Sequence, residues 1–406
     1  MTRRVRFVNR VFPPAPGATG LYLAEMADAL AAHGWAVDVV TGPAAGAPAV
    51  ETRPSGVVVR RVGAEVEKGR GTARRALGYA AFFPRALAAA ARAPRPDVVV
   101  LKTDPPMLAA LGPVLRRLTG ARVVLWAQDV YPDVAEALGV LPPGGLASRA
   151  LGRLAAHALR RADAVVAIGR CMAERLEGMG AAAVTVVPNW APAGVRVLPR
   201  AGNAFRAAHG LGDAFVAMYS GNLGLAHPVG ALLDAAGALA ASHPEALVVF
   251  VGDGPQRAWA EAETVRRGLA TVRFLPFQPA ERLAESLGAA DVHLVAMDEA
   301  LAGLVVPSKL YGALAAGRPV VFVGPEASEA ARLVREHACG TVVAGVAPDA
   351  LGAAIAGALA VWAADPEARL AAGGRAAHAA PVGPDVSAFA HVLTNSRSGQ
   401  TEKSVR

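Results

Sequence analysis

The sequence predicts an α/β protein with two doubly wound domains. Short runs of β-branched residues alternate with longer alanine-rich patterns of helical period, which is typical of βαβ units and parallel sheets. The alternation restarts after a proline-rich stretch at 186–202, VVPNWAPAGVRVLPRAG, which suits a linker. A chain of 406 residues with 53% hydrophobic content can form two cores. We therefore expect one domain over 1–190 and a second over 191–380.

The β-branched runs predict the strands of both sheets. In the first domain these runs are 5–8, 37–40, 57–62, 98–101, 123–127, 164–168 and 184–187. In the second domain they are 216–219, 247–251, 272–275, 292–296, 320–323 and 341–343. Ligands of such sheets bind at the carboxyl ends of the strands. We therefore look for the chemistry in the loops that follow the strands, and we expect a cleft between the two domains.

The composition excludes several classes of protein. Two cysteines, Cys171 and Cys339, provide neither a disulfide scaffold nor a four-thiolate zinc site, and they fit a reducing compartment such as the cytoplasm. No D-x-D pair, H-x-x-x-H pair or cysteine cluster occurs, so we expect no bound metal and no cofactor. The motifs of α/β-hydrolases and P-loop enzymes are absent. No apolar run approaches the roughly 20 residues of a membrane span.

The net charge of +8 is carried by one half of the chain. Residues 1–190 contain 24 Lys and Arg against 14 Asp and Glu, a net +10, whereas residues 191–406 contain 17 against 19, a net −2. A one-sided basic surface suggests an anionic partner. The alternative is a general drift of the composition toward arginine.

Part of this positive charge lies in residues 68–95, KGRGTARRALGYAAFFPRALAAAARAPR. Arginines are mixed there with Tyr79, Phe82 and Phe83, a combination that can lie in the interface of an anionic membrane. The alternative is a core-packing helix with a solvated arginine face, which Pro84 interrupts. No nucleic-acid-binding module accompanies the segment, so nucleic acid is not an expected partner.

Two loops of the first domain are candidates for ligand binding. The first strand is followed by a loop with Gly17 and Gly20 and then by a helix, so its backbone N–H groups could approach an anion. An ordinary βα turn explains the same pattern. Asp129 follows the strand at 123–127, where it could orient a substrate hydroxyl or accept its proton. The alternative for Asp129, and the favoured interpretation of Asp133, is a helix N-cap.

Two loops of the second domain have a similar character. The strand at 216–219 ends in SGNLGLAHP, in which Gly221 forms a tight turn and Asn222 and His227 could donate hydrogen bonds to a phosphate. Asn222 alternatively only holds the turn. Phe277 and Gln278 follow the strand at 272–275 and could flank a planar base, although a lone phenylalanine more often belongs to the core.

The string GLVVPSKLYGALAAGRPVV at 303–321 is the most specific local signal. Pro307 and Ser308 indicate the start of a helix and Gly317 its end, which puts Lys309 in the first turn. The helix dipole disfavours a lysine there, so its presence suggests a diphosphate site made of N–H groups and one ammonium. The alternative is a solvated surface lysine.

Taken together, these strings resemble the glycosyltransferases of family 4. The family's order is kept by FPPAPGATG, WAQDVYPDVAEALGVL, ADAVVAIG, VVPNW, YSGNLGLAHP, FVGDGP and VPSKLYGALAAGRPVV. The resemblance covers about residues 4–378. It is strongest to the branch that builds bacterial surface polysaccharides such as lipopolysaccharide, which includes transferases for fucose and N-acetylfucosamine.

The resemblance implies a GT-B fold, in which two Rossmann-like domains face each other across a cleft. The first domain would bind the acceptor and the second a nucleotide sugar, usually a UDP-sugar, without a metal. Residues 381–406 would hold a helix that crosses back to the first domain and a disordered tail. Gly17 and Ala18 match the loop that approaches the donor phosphates, and Phe277 and Gln278 match the segment that contacts the base.

The sequence departs from the wider family at four positions. Asn222 and His227 stand where many members have an arginine and a lysine. Leu304 and Gly312 stand where many members have two glutamates, and these residues can neither hydrogen-bond a sugar nor hold a ribose. The negative charge of the phosphates would then be stabilised by Lys309, a helix N-terminus and His227.

These features predict a retaining, metal-independent glycosyltransferase. Lys309, Ser308 and nearby N–H groups would stabilise the leaving diphosphate, and Asp129 would serve the acceptor hydroxyl. The acceptor would be a saccharide or a polyprenyl-diphosphate-linked sugar at the inner face of the plasma membrane. A sugar-nucleotide epimerase of the same fold is one alternative. A non-catalytic glycosyltransferase-like scaffold is the other, and it would explain Leu304 and Gly312.

Overall fold

The computed structural model describes residues 2–63, 72–224 and 227–395, without the side chains of 72–77. The start of the basic segment, 68–71, and the predicted disordered tail from residue 396 lie outside the described residues. The chain forms two compact units. The first contains Met1–Pro188, Gly303–Val305 and the chain from Pro384 onward, and the second contains Asn189–Ala302 and Val306–Gly383.

The described chain contains fourteen strands. They are β1 (Arg4–Val8), β2 (Ala36–Thr41), β3 (Val50–Thr52), β4 (Val58–Arg61), β5 (Val98–Leu101), β6 (Arg122–Trp126), β7 (Ala164–Ala167), β8 (Val184–Val186), β9 (Val216–Ser220), β10 (Leu247–Val251), β11 (Val272–Leu275), β12 (Val292–Ala296), β13 (Val320–Val323) and β14 (Gly340–Val343). All of the predicted strands are confirmed. β3 was not predicted, because this exposed edge strand lacks an apolar run.

Fifteen α-helices connect these strands in the described residues. They are α1 (Ala18–Ala32), α2 (Thr72–Ala91), α3 (Gly112–Thr119), α4 (Asp133–Ala137), α5 (Leu146–Arg161), α6 (Arg170–Gly178), α7 (Ala204–Ala208), α8 (Val229–Ser242), α9 (Arg257–Arg266), α10 (Leu283–Gly288), α11 (Lys309–Ala315), α12 (Glu329–Glu336), α13 (Leu351–Ala364), α14 (Pro366–Ala379) and α15 (Val386–Thr394). Among the described helices, none combines the length and the apolar character needed to cross a bilayer.

The first unit is a doubly wound sheet of eight strands in the order β3-β4-β2-β1-β5-β6-β7-β8. All neighbouring pairs are parallel except β3 with β4. The strand order reverses between β1 and β5, and the crevice at such a reversal is where ligands of these sheets bind. The predicted architecture of this half is therefore confirmed.

The last helix, α15, completes the core of the first unit. Its Phe389 is fully buried, with its ring centroid 4.8 Å from that of Trp126 and 6.1 Å from that of Phe7. Aromatic pairs at such distances stabilise a fold beyond the area they bury. The C-terminal helix is thus an integral part of this unit.

The second unit is a six-stranded parallel sheet in the order β11-β10-β9-β12-β13-β14. Its order reverses between β9 and β12. Helices α8 and α13 pack on each other and cover the sheet with side chains such as Leu232, Leu239, Ile355 and Leu359. The second half is therefore also the Rossmann-like domain that the sequence predicts.

Helix α2 is continuous through Pro84, although the sequence predicts an interruption there. It continues through Pro84 to Ala91, so the proline does not end it. Its aromatic residues do not form an exposed stripe, because Phe82 is buried and the guanidinium of Arg10 lies 4.9 Å from the ring centroid of Tyr79. Phe83 is only partly exposed. The aromatic side of this helix packs on the protein, as in the core-packing alternative.

Candidate functional site

The loop after β9 lies at the strand reversal of the second unit. Gly221 has a φ of +131°, which favours glycine, and its N–H donates to the carbonyl of Val251. A Cβ on Gly252, in the loop after β10, would lie 2.0 Å from the carbonyl oxygen of Gly221. The two loops therefore pack backbone to backbone, and only glycines allow this approach.

Lys309 lies beside this turn. As predicted, it is the first residue of α11, directly after Pro307 and Ser308. Its ammonium donates to the Tyr219 hydroxyl, which donates in turn to the carbonyl of Asn222 at 2.9 Å. A Cβ on Gly221 would lie 3.4 Å from Lys309 Cε. Lys309 is thus held against the Gly221 turn and is not a solvated surface lysine.

Burial controls the charge of this lysine. It lowers the pKa of Lys309 to about 7, because the buried ammonium loses its hydration. The Lys309 Nζ also lies 4.0 Å from the ring centroid of Tyr219, a cation–π distance. A bound anion would raise the pKa again, so the site is poised to gain positive charge when a diphosphate arrives.

His227 is positioned in the same crevice, but in a role different from the predicted one. Its Nδ1–H donates to the carbonyl of Ala296, at the end of β12, at 2.7 Å. Burial, together with the positive charge of Lys309, lowers the pKa of His227 to about 4. The ring is therefore neutral at pH 7, and its free Nε2 accepts hydrogen bonds. A sugar hydroxyl suits such a group, whereas the expected donation to a phosphate does not.

The remaining candidates of the second unit lie at the same edge of its sheet. The carbonyl of Asn222 accepts from the Tyr219 hydroxyl within the turn, and its exposed side chain leaves donation to a phosphate as a prediction. Phe277 is 58% exposed, which contradicts the core interpretation. Gln278 Nε2 donates to the carbonyl of Pro276 at 3.0 Å. Ser308 is partly exposed and makes no side-chain cap.

In the first unit, Gly17 and Ala18 lie at the start of α1. Gly17 is the N-cap residue, and both residues are exposed. A Cβ on Gly20 would lie 2.8 Å from the carbonyl oxygen of Val11, so the loop folds tightly onto the helix start. The first N–H groups of a helix have no partner within the helix. The backbone can therefore approach an anion here, as the sequence predicts.

Asp129 follows β6 and lines a pocket in the first unit. It does not cap α4, whose N-cap residue is Pro132, so the N-cap alternative is wrong for Asp129. Asp133 is the first residue of α4 and pairs with Arg175. Burial, and then the charge of Asp104, raise the pKa of Asp129 to about 6. A carboxylate with such a pKa suits general-base chemistry.

A short segment from the second half of the sequence pairs with the backbone around Asp129. Val305 forms an isolated antiparallel bridge with Asp129, and Val130 N–H donates to the carbonyl of Leu304 at 3.0 Å. A Cβ on Gly303 would lie 3.1 Å from the carbonyl oxygen of Cys171. The segment Gly303–Val305 therefore fixes the backbone that carries Asp129.

The sequence analysis missed Lys102, which follows β5. Lys102 is fully buried and lines the same pocket as Asp129. Burial lowers its pKa well below the usual value, against the opposing charge of Asp129. A signal existed in the sequence, because this lysine directly follows four apolar residues at the end of a central strand. Among the described residues, no three His, Cys, Asp or Glu side chains cluster as metal ligands would.

Two family models match the chain. A glycosyl transferase 4-like domain matches residues 17–190, and a glycosyl transferases group 1 domain matches residues 203–376. WcaI of Escherichia coli K12, a glycosyl transferase named for colanic acid biosynthesis, is 30% identical over 370 residues. That match covers 85% of this chain and 89% of WcaI. The chain belongs to this glycosyltransferase family.

Further similarities agree with this membership. The glycosyltransferase WbjE of Pseudomonas aeruginosa is 30% identical over 252 residues, which span 61% of this chain and just under two thirds, 62%, of WbjE. Sucrose-phosphate synthase of Thermosynechococcus elongatus has a TM-score of 0.75 and 18% identity, with 96% of each chain covered. HepE of Anabaena in complex with UDP has a TM-score of 0.68 and 17% identity, over 96% of this chain and 98% of HepE. The fold is thus that of GT-B glycosyltransferases.

In this glycosyltransferase, the two positions without glutamate have a structural explanation. A Cβ on Gly312 would lie 3.1 Å from Leu287 Cδ1 and 3.7 Å from Pro192 Cδ, so apolar atoms close the space that a side chain would enter. Leu304 is buried, and its carbonyl accepts a hydrogen bond from the N–H of Val130. Both residues are buried, and a charged glutamate side chain would be costly at either position.

Proposed function

We propose that this glycosyltransferase moves a sugar from a nucleotide-sugar donor, bound by the second unit, to a hydroxyl of an acceptor bound by the first. UDP-sugars are the preferred donors, because HepE was solved with UDP and with UDP-glucose. The resemblance to fucosyl and N-acetylfucosaminyl transferases makes 6-deoxy sugars the first to test. The acceptor is a saccharide or a polyprenyl-diphosphate-linked sugar of a cell-surface polysaccharide, the process for which WcaI is named.

One observation carries the proposal: the Lys309 ammonium is buried beside the Gly221 turn, where its contact within the described residues is with Tyr219 and not with a carboxylate. Such a charge is costly unless an anion binds to it. A diphosphate would supply that anion, and its negative charge grows as the bond to the sugar breaks. Lys309 therefore favours the transition state more than the ground state, which is the condition for catalysis.

The transfer itself requires few groups. The bond between the sugar C1 and the diphosphate oxygen breaks, the acceptor oxygen forms a new bond to C1, and the hydroxyl proton passes to Asp129. We propose that the configuration at C1 is retained and that no metal is needed, since Lys309 and backbone N–H groups supply positive charge at the phosphates. Neutral His227 would accept a hydrogen bond from the sugar.

Turnover of a matched donor and acceptor by the Lys309→Ala variant tests this role. We expect a loss of about 10²-fold in kcat, the range for removal of one charge-stabilising group. Arg266→Ala on α9 is a control, because Arg266 is 70% exposed on its side chain. Wild-type turnover by Lys309→Ala would refute the assignment, and unchanged rates in EDTA are expected if no metal takes part.

The acceptor side of the protein also carries an unusual charge distribution. Helices α2, α3 and α5 contact one another in the order α2–α3–α5, and together they contain nine arginines and no acidic residue. Exposed apolar residues lie among these charges on α3 and α5, including Val114, Leu118, Leu146 and Leu154. Exposed leucine and arginine side chains together favour an anionic membrane surface.

We therefore propose that the enzyme works peripherally on the cytoplasmic face of the plasma membrane, through α3 and α5 more than through the aromatic residues of 68–95. The test is flotation with anionic vesicles at low salt. Arg149→Ala with Arg153→Ala should weaken binding by about 30-fold, since each arginine near the surface contributes about 1 kcal/mol. Arg266→Ala with Arg273→Ala should leave binding unchanged. Equal binding by both double variants would refute the proposed surface.

A further inference from the structure

The pocket of the first unit has two distinct ends. It lies at the carboxyl ends of β5, β6 and β7, against α5. Most of its wall is aliphatic, with Leu108, Leu125, Ala155, Leu159 and Leu176 among the lining residues. The polar side chains Lys102, Thr103, Asp129 and Tyr131 follow the ends of β5 and β6, and the indole of Trp126 also lines the pocket. The pocket thus suits a small group that is apolar at one end and polar at the other.

Lys102 provides an unused hydrogen-bond donor in this pocket. Its side chain is fully buried, and its Nζ lies 3.5 Å from the ring centroid of Trp126. Within the described part of the chain, that Nζ has no hydrogen-bond acceptor. Buried polar groups are nearly always hydrogen-bonded, and the exceptions call for an explanation. An acceptor oxygen of a ligand in the pocket would provide the missing partner, whether the amine is charged or neutral.

Asp129 provides the complementary acceptor at the same end of the pocket. Its carboxylate is the negative charge that acts most strongly on Lys102, and Asp104 acts in the same direction. Two carboxylates disfavour a phosphate or another anion at this position. A neutral ligand group with both an acceptor and a donor fits better.

We propose that this pocket binds the N-acylamino group of the acceptor sugar. The acyl oxygen would accept from Lys102 Nζ, the amide N–H would donate to one carboxylate oxygen of Asp129, and the methyl group would enter the aliphatic part. The other oxygen of Asp129 stays available to a neighbouring hydroxyl. The proposal rests on the proposed function, because it takes the first unit as the acceptor side. A hydrocarbon chain would fill the aliphatic part but leave Lys102 without an acceptor.

Saturation-transfer NMR on the full chain tests this with matched probes. The octyl β-glycosides of N-acetylglucosamine and glucose differ only in the acetamido group, and the galacto pair covers the other configuration. We expect each N-acetyl glycoside to bind at least tenfold more tightly than its partner, with the largest saturation on the acetyl methyl protons. Lys102→Met and Ala109→Leu should bring the ratio close to one. Ala110→Leu is the control, because Ala109 lines the pocket and Ala110 does not.

Several results would overturn the proposal. They are equal affinity for the two members of each pair, no binding of any glycoside, the largest saturation on the octyl chain, or an unchanged ratio in Ala109→Leu. UDP titrated into the same samples separates this proposal from the proposed function. If UDP binds normally while the acetamido preference is absent, only the pocket assignment fails. If wild-type protein does not bind UDP, the assignment of a UDP-sugar as donor fails, and the same titration with GDP and dTDP decides the transferase proposal.

Discussion

Replacing Lys309 by methionine should remove most of the pH dependence of UDP binding. Burial lowers the pKa of Lys309 to about 7 in the free protein, and a bound diphosphate raises it, since an opposite charge favours the protonated form. At pH 6 the lysine is already protonated, so UDP binds without proton uptake. At pH 8 only about a tenth is protonated, so binding must include protonation. Affinity should therefore fall about tenfold between pH 6 and pH 8, or about 1.4 kcal/mol.

Isothermal titration in buffers of different ionisation enthalpy measures this proton uptake directly. Wild-type protein should take up about 0.1 proton at pH 6 and about 0.9 at pH 8. His227 does not contribute, because its pKa of about 4 keeps it neutral over this range. In Lys309→Met only the titration of UDP itself should remain. Lys309→Arg should also show no uptake while retaining most of the affinity, since arginine stays charged. Equal proton uptake by wild type and Lys309→Met would refute the reasoning.

Three further outcomes are expected. Asp129→Asn should lower kcat by about 10²-fold to 10⁴-fold, and the wild-type rate should rise through about pH 6 as Asp129 ionises. Profiles of rate against pH check both results, and an unchanged profile in the variant excludes Asp129 as the general base. Phe277→Ala should weaken UDP binding by about 1–3 kcal/mol if the exposed ring stacks on the base, whereas Val265→Ala, also exposed, should have no effect in the same titration. Phe389→Ala should lower the free energy of unfolding by about 3–5 kcal/mol in urea, and a loss below 1 kcal/mol would contradict the buried aromatic contacts with α15.

The fold was predictable because parallel strands are buried on both faces. β5, β7 and β13 are buried throughout, so each one is a continuous apolar run in the sequence. β3 (VET) could not be found this way, since it pairs at one edge and is mostly exposed. Pro84 predicted an interruption of the helix that does not occur, since α2 continues across the proline and tertiary context can override a local propensity.

The site was only partly predictable, because the sequence does not give burial. The helix pattern placed Lys309 in the first turn of α11, and strand ends placed Asp129 and Asn222 in loops at the sheet edges. The neutral state of His227 depends on its burial and on the charge of Lys309, which only the tertiary structure brings near the ring. Lys102 follows the apolar strand β5, which marks its place in the chain, but only the tertiary structure shows that its side chain is fully buried.

The most direct test of the account is product analysis by mass spectrometry and NMR after incubation with UDP-sugars and an N-acetylhexosaminyl glycoside. We expect free UDP and a new glycosidic bond with the donor's anomeric configuration, formed about 10²-fold more slowly by Lys309→Ala. Isomerisation of the UDP-sugar without an acceptor would instead support the epimerase alternative. Failure of every nucleotide sugar to bind would support the scaffold, and either result would contradict the account.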